Sequence, residues 1–209
     1  MLKLSVPAVG EAEVAAVTAV VRSGNLVYGD RGRAFEAALA DYVGARECVV
    51  VSSGTAALHL SLLALGVGPG DGVVVPDFTF PATANAVALT GAEPVIIDVD
   101  RERYCMDAAE LARCCESPPA GLRLRAVIPV HAFGCPAPMD ALMAIAHEHG
   151  LTVVEDAACA LGAVHAGRRT GTIGYVGCFS FHPRKLLTTG EGGDSKFGNG
   201  MRILQVTNF

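Results

Sequence analysis

The sequence predicts an α/β fold: a mostly parallel β-sheet covered by helices on both faces, three layers in all. Three observations carry this. Segments of helical and strand character alternate over residues 1–193, with no repeat, low-complexity tract or linker between them. The strand segments read as continuous apolar runs, the pattern of strands buried on both faces. The 209-residue chain is 51% hydrophobic and 18% charged, with 24 glycines and no Trp, so it can fill one core and pack helices closely on a sheet.

The elements follow in order. Val14, Val17, Val20 and Val21 recur at helical spacing over 11–22, and Gly24 closes that helix. A second amphipathic helix covers 33–42 and stops at Gly44. Residues 48–51 form a short β-branched strand, followed by Ser52-Ser53-Gly54-Thr55 and a helix through Leu65. The GVGPGD segment, 66–71, is a turn into the strand 73–76, since no helix follows it directly as a phosphate loop would require. Beyond it come a helix over 81–89, a strand over 94–99, and a helix over 107–115 opened by an Asp cap. The series continues with a strand at 126–130, a helix at 138–149, and strands at 151–155 and 176–181. A short helix is expected over 201–206.

Composition excludes several functions. The formal charge is −5 and no dense Lys/Arg run occurs, which argues against a nucleic-acid binder. No apolar run approaches the roughly 18 residues that cross a bilayer. The start of the chain lacks the charged end and apolar core of a secretory signal. Seven cysteines, an odd number without a CxxC pair, read as free thiols in a reducing cytoplasm. No metal site is expected, because His147 and His149, two apart on a helix, point to different faces.

In open parallel sheets ligands bind at the C-terminal ends of the strands. Four such ends carry informative residues. The segment SSGTAALHL offers hydroxyls and free helix-start N–H groups to an anion, with an ordinary Ser/Thr N-cap as the alternative reading. In PDFTFPAT, 76–83, two phenylalanines supply either a flat stacking surface or core packing. Glu155 and Asp156 close a buried strand and, by alternation, point to opposite faces. A buried carboxylate there calls for a cationic partner, met by a protonated ring nitrogen or by an Arg. Lys185 is either a surface lysine or, in its apolar and small-residue setting, an amine nucleophile. An anion cradle, a stacking ring, a buried carboxylate and an isolated lysine at one sheet edge are the parts that hold pyridoxal phosphate (PLP).

Six segments in order then carry a resemblance: GTAALHL, VVVPDFTFPATANAV, PVIIDVD, AVIPVHAFG, VVEDAACALGA and CFSFHPRKLLTTGEGG. The chain resembles the DegT/DnrJ/EryC1/StrS family of PLP-dependent sugar aminotransferases, built on the fold-type I large domain. The resemblance implies that Lys185 is the Schiff-base lysine and proton shuttle and that Asp156 pairs with the pyridine nitrogen. It implies phosphate binding by Gly54, Thr55 and Ser180, and a ring face covered by Phe80. Cys159 stands where the family usually has a glutamine near the cofactor hydroxyl. His182 receives no role. The loop at 25–29 is similar to the one that approaches substrate. The implied reaction moves an amino group from glutamate to a keto group of a nucleotide-linked sugar, in a homodimer. A lysine at 185 argues against the family's dehydratase branch, whose members lack the Schiff-base lysine.

The expected organisation is a PLP-binding large domain over 1–193 and a divergent tail over 194–209, without the family's small C-terminal domain. The shortness leaves two other readings open: a PLP-binding homologue with little or no turnover, and a noncatalytic regulatory or interaction protein on the same sheet.

Overall fold

The computed structural model describes residues 5–190 and the backbone of 193–197. Seven strands form one sheet: β1 (Val49–Val51), β2 (Asp71–Pro76), β3 (Glu93–Ile97), β4 (Arg123–Val127), β5 (Thr152–Asp156), β8 (Val176–Ser180) and β9 (Gly193–Phe197). The spatial order is β1-β9-β8-β5-β4-β2-β3. The run from β3 to β8 is parallel throughout, and β9 lies antiparallel to both β1 and β8. A separate two-residue hairpin pairs β6 (Val164–His165) with β7 (Arg168–Arg169).

Strand alternation sorts the apolar runs into two cores. Val73 and Val75 of β2 face one side, with Val51, Val154 and Val176, beneath Leu58 and Leu62 of α3 (Gly54–Ala64) and Val87 of α4 (Ala82–Ala88). Val74, Val127 and Val153 face the other, against Leu111 of α5 (Ala108–Glu116) and Met139 and Leu142 of α6 (Met139–Glu148). All three of Val73, Val74 and Val75 are fully buried, so the apolar run of β2 marks a strand covered on both faces. The three-layer α/β arrangement is therefore the one the alternating pattern implies.

α2 (Asp30–Val43) packs Leu39 and Val43 against Phe179 and Phe181 in a third cluster. Its Glu36 accepts a hydrogen bond from the Val50 N–H at 2.9 Å and another from the Tyr28 hydroxyl at 2.5 Å. This occupies an outward N–H of the edge strand β1, a group otherwise free to pair with another strand. α1 (Glu11–Ser23) forms where its valine spacing places it, yet none of its residues is buried, and Val14, Val17 and Val21 stand exposed.

Two features depart from the sequence reading. The domain edge drawn at Gly193 falls on the first residue of β9, so Asp194 to Phe197, assigned to the tail, pair inside the sheet. The strands expected at 94–99 and 126–130 begin and end earlier, at Glu93–Ile97 and Arg123–Val127; Val99 and Val130 keep only isolated bridges, to Met106 and Asp156. Asp107 caps α5 as expected, its carboxylate accepting the N–H groups of Ala109 and Glu110. The short helix expected over 201–206 lies outside the described residues.

Candidate active site

The sequence-predicted residues converge on the C-terminal ends of β1, β2, β5 and β8. Ser53 caps α3, its hydroxyl accepting the Ala56 N–H at 3.1 Å. The N-cap reading therefore holds for Ser53, and it leaves the N–H groups of Gly54 and Thr55 pointing out of the helix start. Ser180, at the end of β8, lies directly against this start. A side chain added at Gly54 would meet the Ser180 Cβ at 3.0 Å and its Oγ at 3.4 Å. A glycine at 54 lets the two segments come this close without crowding, which brings the helix-start N–H groups and the Ser180 hydroxyl together as donors suited to an anion.

β5 presents its two terminal carboxylates to opposite sides. Glu155 is fully buried. Its Oε1 accepts the N–H groups of Ile173 and Gly174, both at 2.6 Å. Its Oε2 accepts the Gly171 N–H at 2.7 Å and lies 3.0 Å from His131 Nε2. Because His131 Nδ1 accepts the Ala137 N–H at 3.0 Å, the ring proton sits on Nε2 and is donated to Glu155. Glu155 is thus met by three backbone donors and one histidine, and the carboxylate left to meet a cation is that of Asp156. A Cβ on Gly177 would collide with the Gly171 backbone, so this close approach depends on glycine.

Asp156 faces the site. Its Oδ1 accepts the Ala158 N–H at 3.1 Å and its Oδ2 the Thr83 hydroxyl at 2.8 Å. Thr83, fully buried in the first turn of α4, is in turn 2.8 Å from the hydroxyl of Thr79. Lys185 lies in the loop after β8, its N–H bonded to the His182 carbonyl at 2.8 Å. Its Nζ donates to Cys159 Sγ at 3.1 Å, joining the β8 loop to the turn after Asp156. Lys185 is half-buried, between the two alternatives the sequence left open. Phe80 stands on the turn between β2 and α4, 77% exposed and clear of the core. His182 Nδ1 accepts the Arg184 N–H and so shapes the lysine loop.

Sequence reasoning missed Thr79, Thr83 and His131. A polar Thr within the apolar run ATANAVA and a His closing AVIPVH were the available signals. A cavity of about 620 Å³ opens beside the site between α1, the 25–33 segment and the end of β1, with Asn25, Tyr28, Phe181 and Thr189 in its wall.

The fold is that of the large domain of the fold-type I PLP-dependent transferases. The chain belongs to the DegT/DnrJ/EryC1/StrS aminotransferase family, whose model matches residues 7–200. It is 42% identical to the GDP-perosamine synthase of Caulobacter vibrioides, over 82% of this chain and 46% of that protein. It is 46% identical to the UDP-N-acetyl-3-dehydro-alpha-D-glucosamine 3-aminotransferase of Acidithiobacillus ferrooxidans, over 83% of this chain and 46% of that one. A Streptococcus pneumoniae protein assigned as a sugar aminotransferase, solved in PLP and PMP forms, superposes with a TM-score of 0.88 at 30% identity, over 95% of this chain and 53% of its own. The chain spans about half the length of the curated relatives it matches.

Proposed function

We propose that this chain carries the PLP-binding half of a sugar aminotransferase that moves an amino group from glutamate to a keto group of a nucleotide-linked sugar. The observation that carries the proposal is the convergence of Lys185, Asp156 and the Gly54–Ser180 cradle on one edge of the sheet. The residues fit the cofactor: a glycine-made cradle of donors suits its phosphate, a buried carboxylate its ring nitrogen, and an amine its attachment.

When bound, PLP supplies an electrophilic carbon and a ring that withdraws electrons from the substrate carbon. The protein's own groups do the rest. The N–H groups of Gly54 and Thr55 and the Ser180 hydroxyl would hold the phosphate at the positive end of α3. Asp156 would accept the ring N–H, its carboxylate already oriented by Thr83 and Ala158. Phe80 offers its exposed ring from the β2–α4 turn as an apolar face. Lys185 would hold the cofactor through its amine, and the same amine would serve to move a proton at the substrate carbon. Cys159 holds that amine in place through its sulfur.

The amino donor, the homodimeric state and a cytoplasmic location belong to the same proposal. All seven cysteines are free, in keeping with a reducing compartment. Among the described residues no helix is long and apolar enough to cross a membrane. The nucleotide-sugar substrate rests on the names of the two curated relatives. The test is PLP uptake, fixation to Lys185 by borohydride read as a peptide mass, and amino transfer from glutamate across a panel of nucleotide-keto-sugars. Transfer that survives Lys185→Ala would overturn the assignment. Sedimentation of the protein checks the dimer.

A further inference from the structure

Asp156 does not stand alone in the site; a directed chain of hydroxyls reaches it from the aromatic-bearing turn. Thr83 Oγ1 donates to Asp156 Oδ2 at 2.8 Å. A hydroxyl has one proton, so the 2.8 Å contact between Thr79 and Thr83 must run the other way, with Thr79 as donor. The order is Thr79 to Thr83 to Asp156. Thr83 and Asp156 are buried and Thr79 is half-buried, so the inner links are shielded from water. A carboxylate has about four lone-pair directions. Thr83 and the Ala158 N–H each take one on different oxygens, which fixes the rotation of the group and leaves the remaining directions for another donor. Thr79 is also the immediate neighbour of Phe80. The chain therefore ties the turn that offers the stacking ring to the strand that offers the carboxylate.

We infer that Thr83 is a positioning residue for the cofactor: it sets the rotation of the Asp156 carboxylate, and Thr79 sets the direction of the Thr83 proton. This rests on the cofactor reading given above. Thr83→Val removes the hydroxyl at nearly constant volume, and Thr83→Ser restores it. Equilibrium PLP titration of the 209-residue chain reads the effect directly, without turnover. A hydrogen bond to a charged group has the strength to change affinity about ten- to a hundredfold, so T83V weakens PLP binding by that factor while T83S stays within about threefold.

A purely structural role would give the same loss whatever stands at 156. T83V is therefore repeated in an Asp156→Asn background, where its effect falls to about twofold if Thr83 acts through the carboxylate. A full effect in that background, or wild-type affinity in T83V, overturns the inference. Thermal unfolding of the PLP-free variants separates loss of fold from loss of binding. Thr79→Val is the second arm should T83V fail to fold: affinity drops about threefold, and an unchanged value again overturns the inference. PLP binding by the unmutated chain distinguishes the two levels. If it is absent, the function and the inference fall together; if present with T83V unaffected, the inference alone falls.

Discussion

Replacing Glu155 with glutamine changes one heavy atom in a fully buried site, and the structure sets the cost. The wild-type carboxylate accepts four donors: Ile173 and Gly174 N–H on Oε1, and Gly171 N–H with His131 Nε2–H on Oε2. An amide keeps one acceptor oxygen and turns the other into a donor. Whichever way it rotates, two of the four donors then face an N–H group. His131 cannot relieve this by moving its proton, because its Nδ1 is committed to the Ala137 N–H. Each buried donor left without an acceptor costs about 1–3 kcal/mol, so the variant loses about 2–6 kcal/mol of a domain stability of about 5–15. Urea unfolding followed by far-UV circular dichroism measures this as a lower midpoint at constant slope. A loss below about 1 kcal/mol would show that the 171–174 segment does not depend on Glu155, and the reasoning would fail.

Three further outcomes follow from other parts of the molecule. Burial raises the affinity of the Asp71 carboxyl for its proton, but the Arg123 hydrogen bond, the Gly68 N–H and the charges of Arg123 and Arg125 outweigh it and leave its pKa below the usual value. A depressed carboxyl stabilises the fold above its unfolded pKa of about 3.9 and loses that contribution as pH falls through the folded value. Asp71→Asn should thus cost about 2 kcal/mol at pH 7, with the difference from wild type shrinking below about pH 4 in denaturant titrations. Burial first, then the neighbouring Cys114 and Glu116, push the Cys115 thiol up to about 11. Iodoacetamide at pH 8 should therefore mark the exposed Cys135 and Cys159 and spare Cys115, read by peptide mass. Gly54→Ala should weaken PLP binding at least tenfold while the fold persists, because the new methyl group meets Ser180 in the cradle; unchanged affinity in a PLP titration would place the phosphate elsewhere.

How far the sequence could be read depends on the kind of signal each part carries. β2 was legible because a strand buried on both faces must be apolar at every position, and Val73 to Val75 obey this. The opposed directions of Glu155 and Asp156 followed from alternation alone. The partners of Glu155 did not, because backbone N–H groups have no letter in a sequence; their trace is Gly174 and Gly177, which bring one backbone against another, and Gly171, which makes room for the Phe179 ring. β9 was hidden for a different reason. Its residues, GDSKF, lack the apolar character of a strand, and its place is set by the open edges of β1 and β8 rather than by its own preference. Thr83 was invisible because a threonine in an apolar helix reads as a packing residue until the strand carrying Asp156 is laid beside it. Lys185 and Asp156 came from the family resemblance more than from local pattern, and the structure adds the contact between Lys185 and Cys159.

The position of β9 has a consequence for the order of assembly. The strands from β2 to β5 can pair with neighbours made within about the same stretch of chain, but β1 meets no partner until residues 193–195 arrive. Closing so long a loop is slow, as distant pairings generally are. Gly54 follows β1 and Ser180 ends β8, and β9 is the strand that spans the gap between them. The sheet edge that carries the anion cradle therefore depends on the pairing with the longest sequence separation among the described strands, that of β1 with β9.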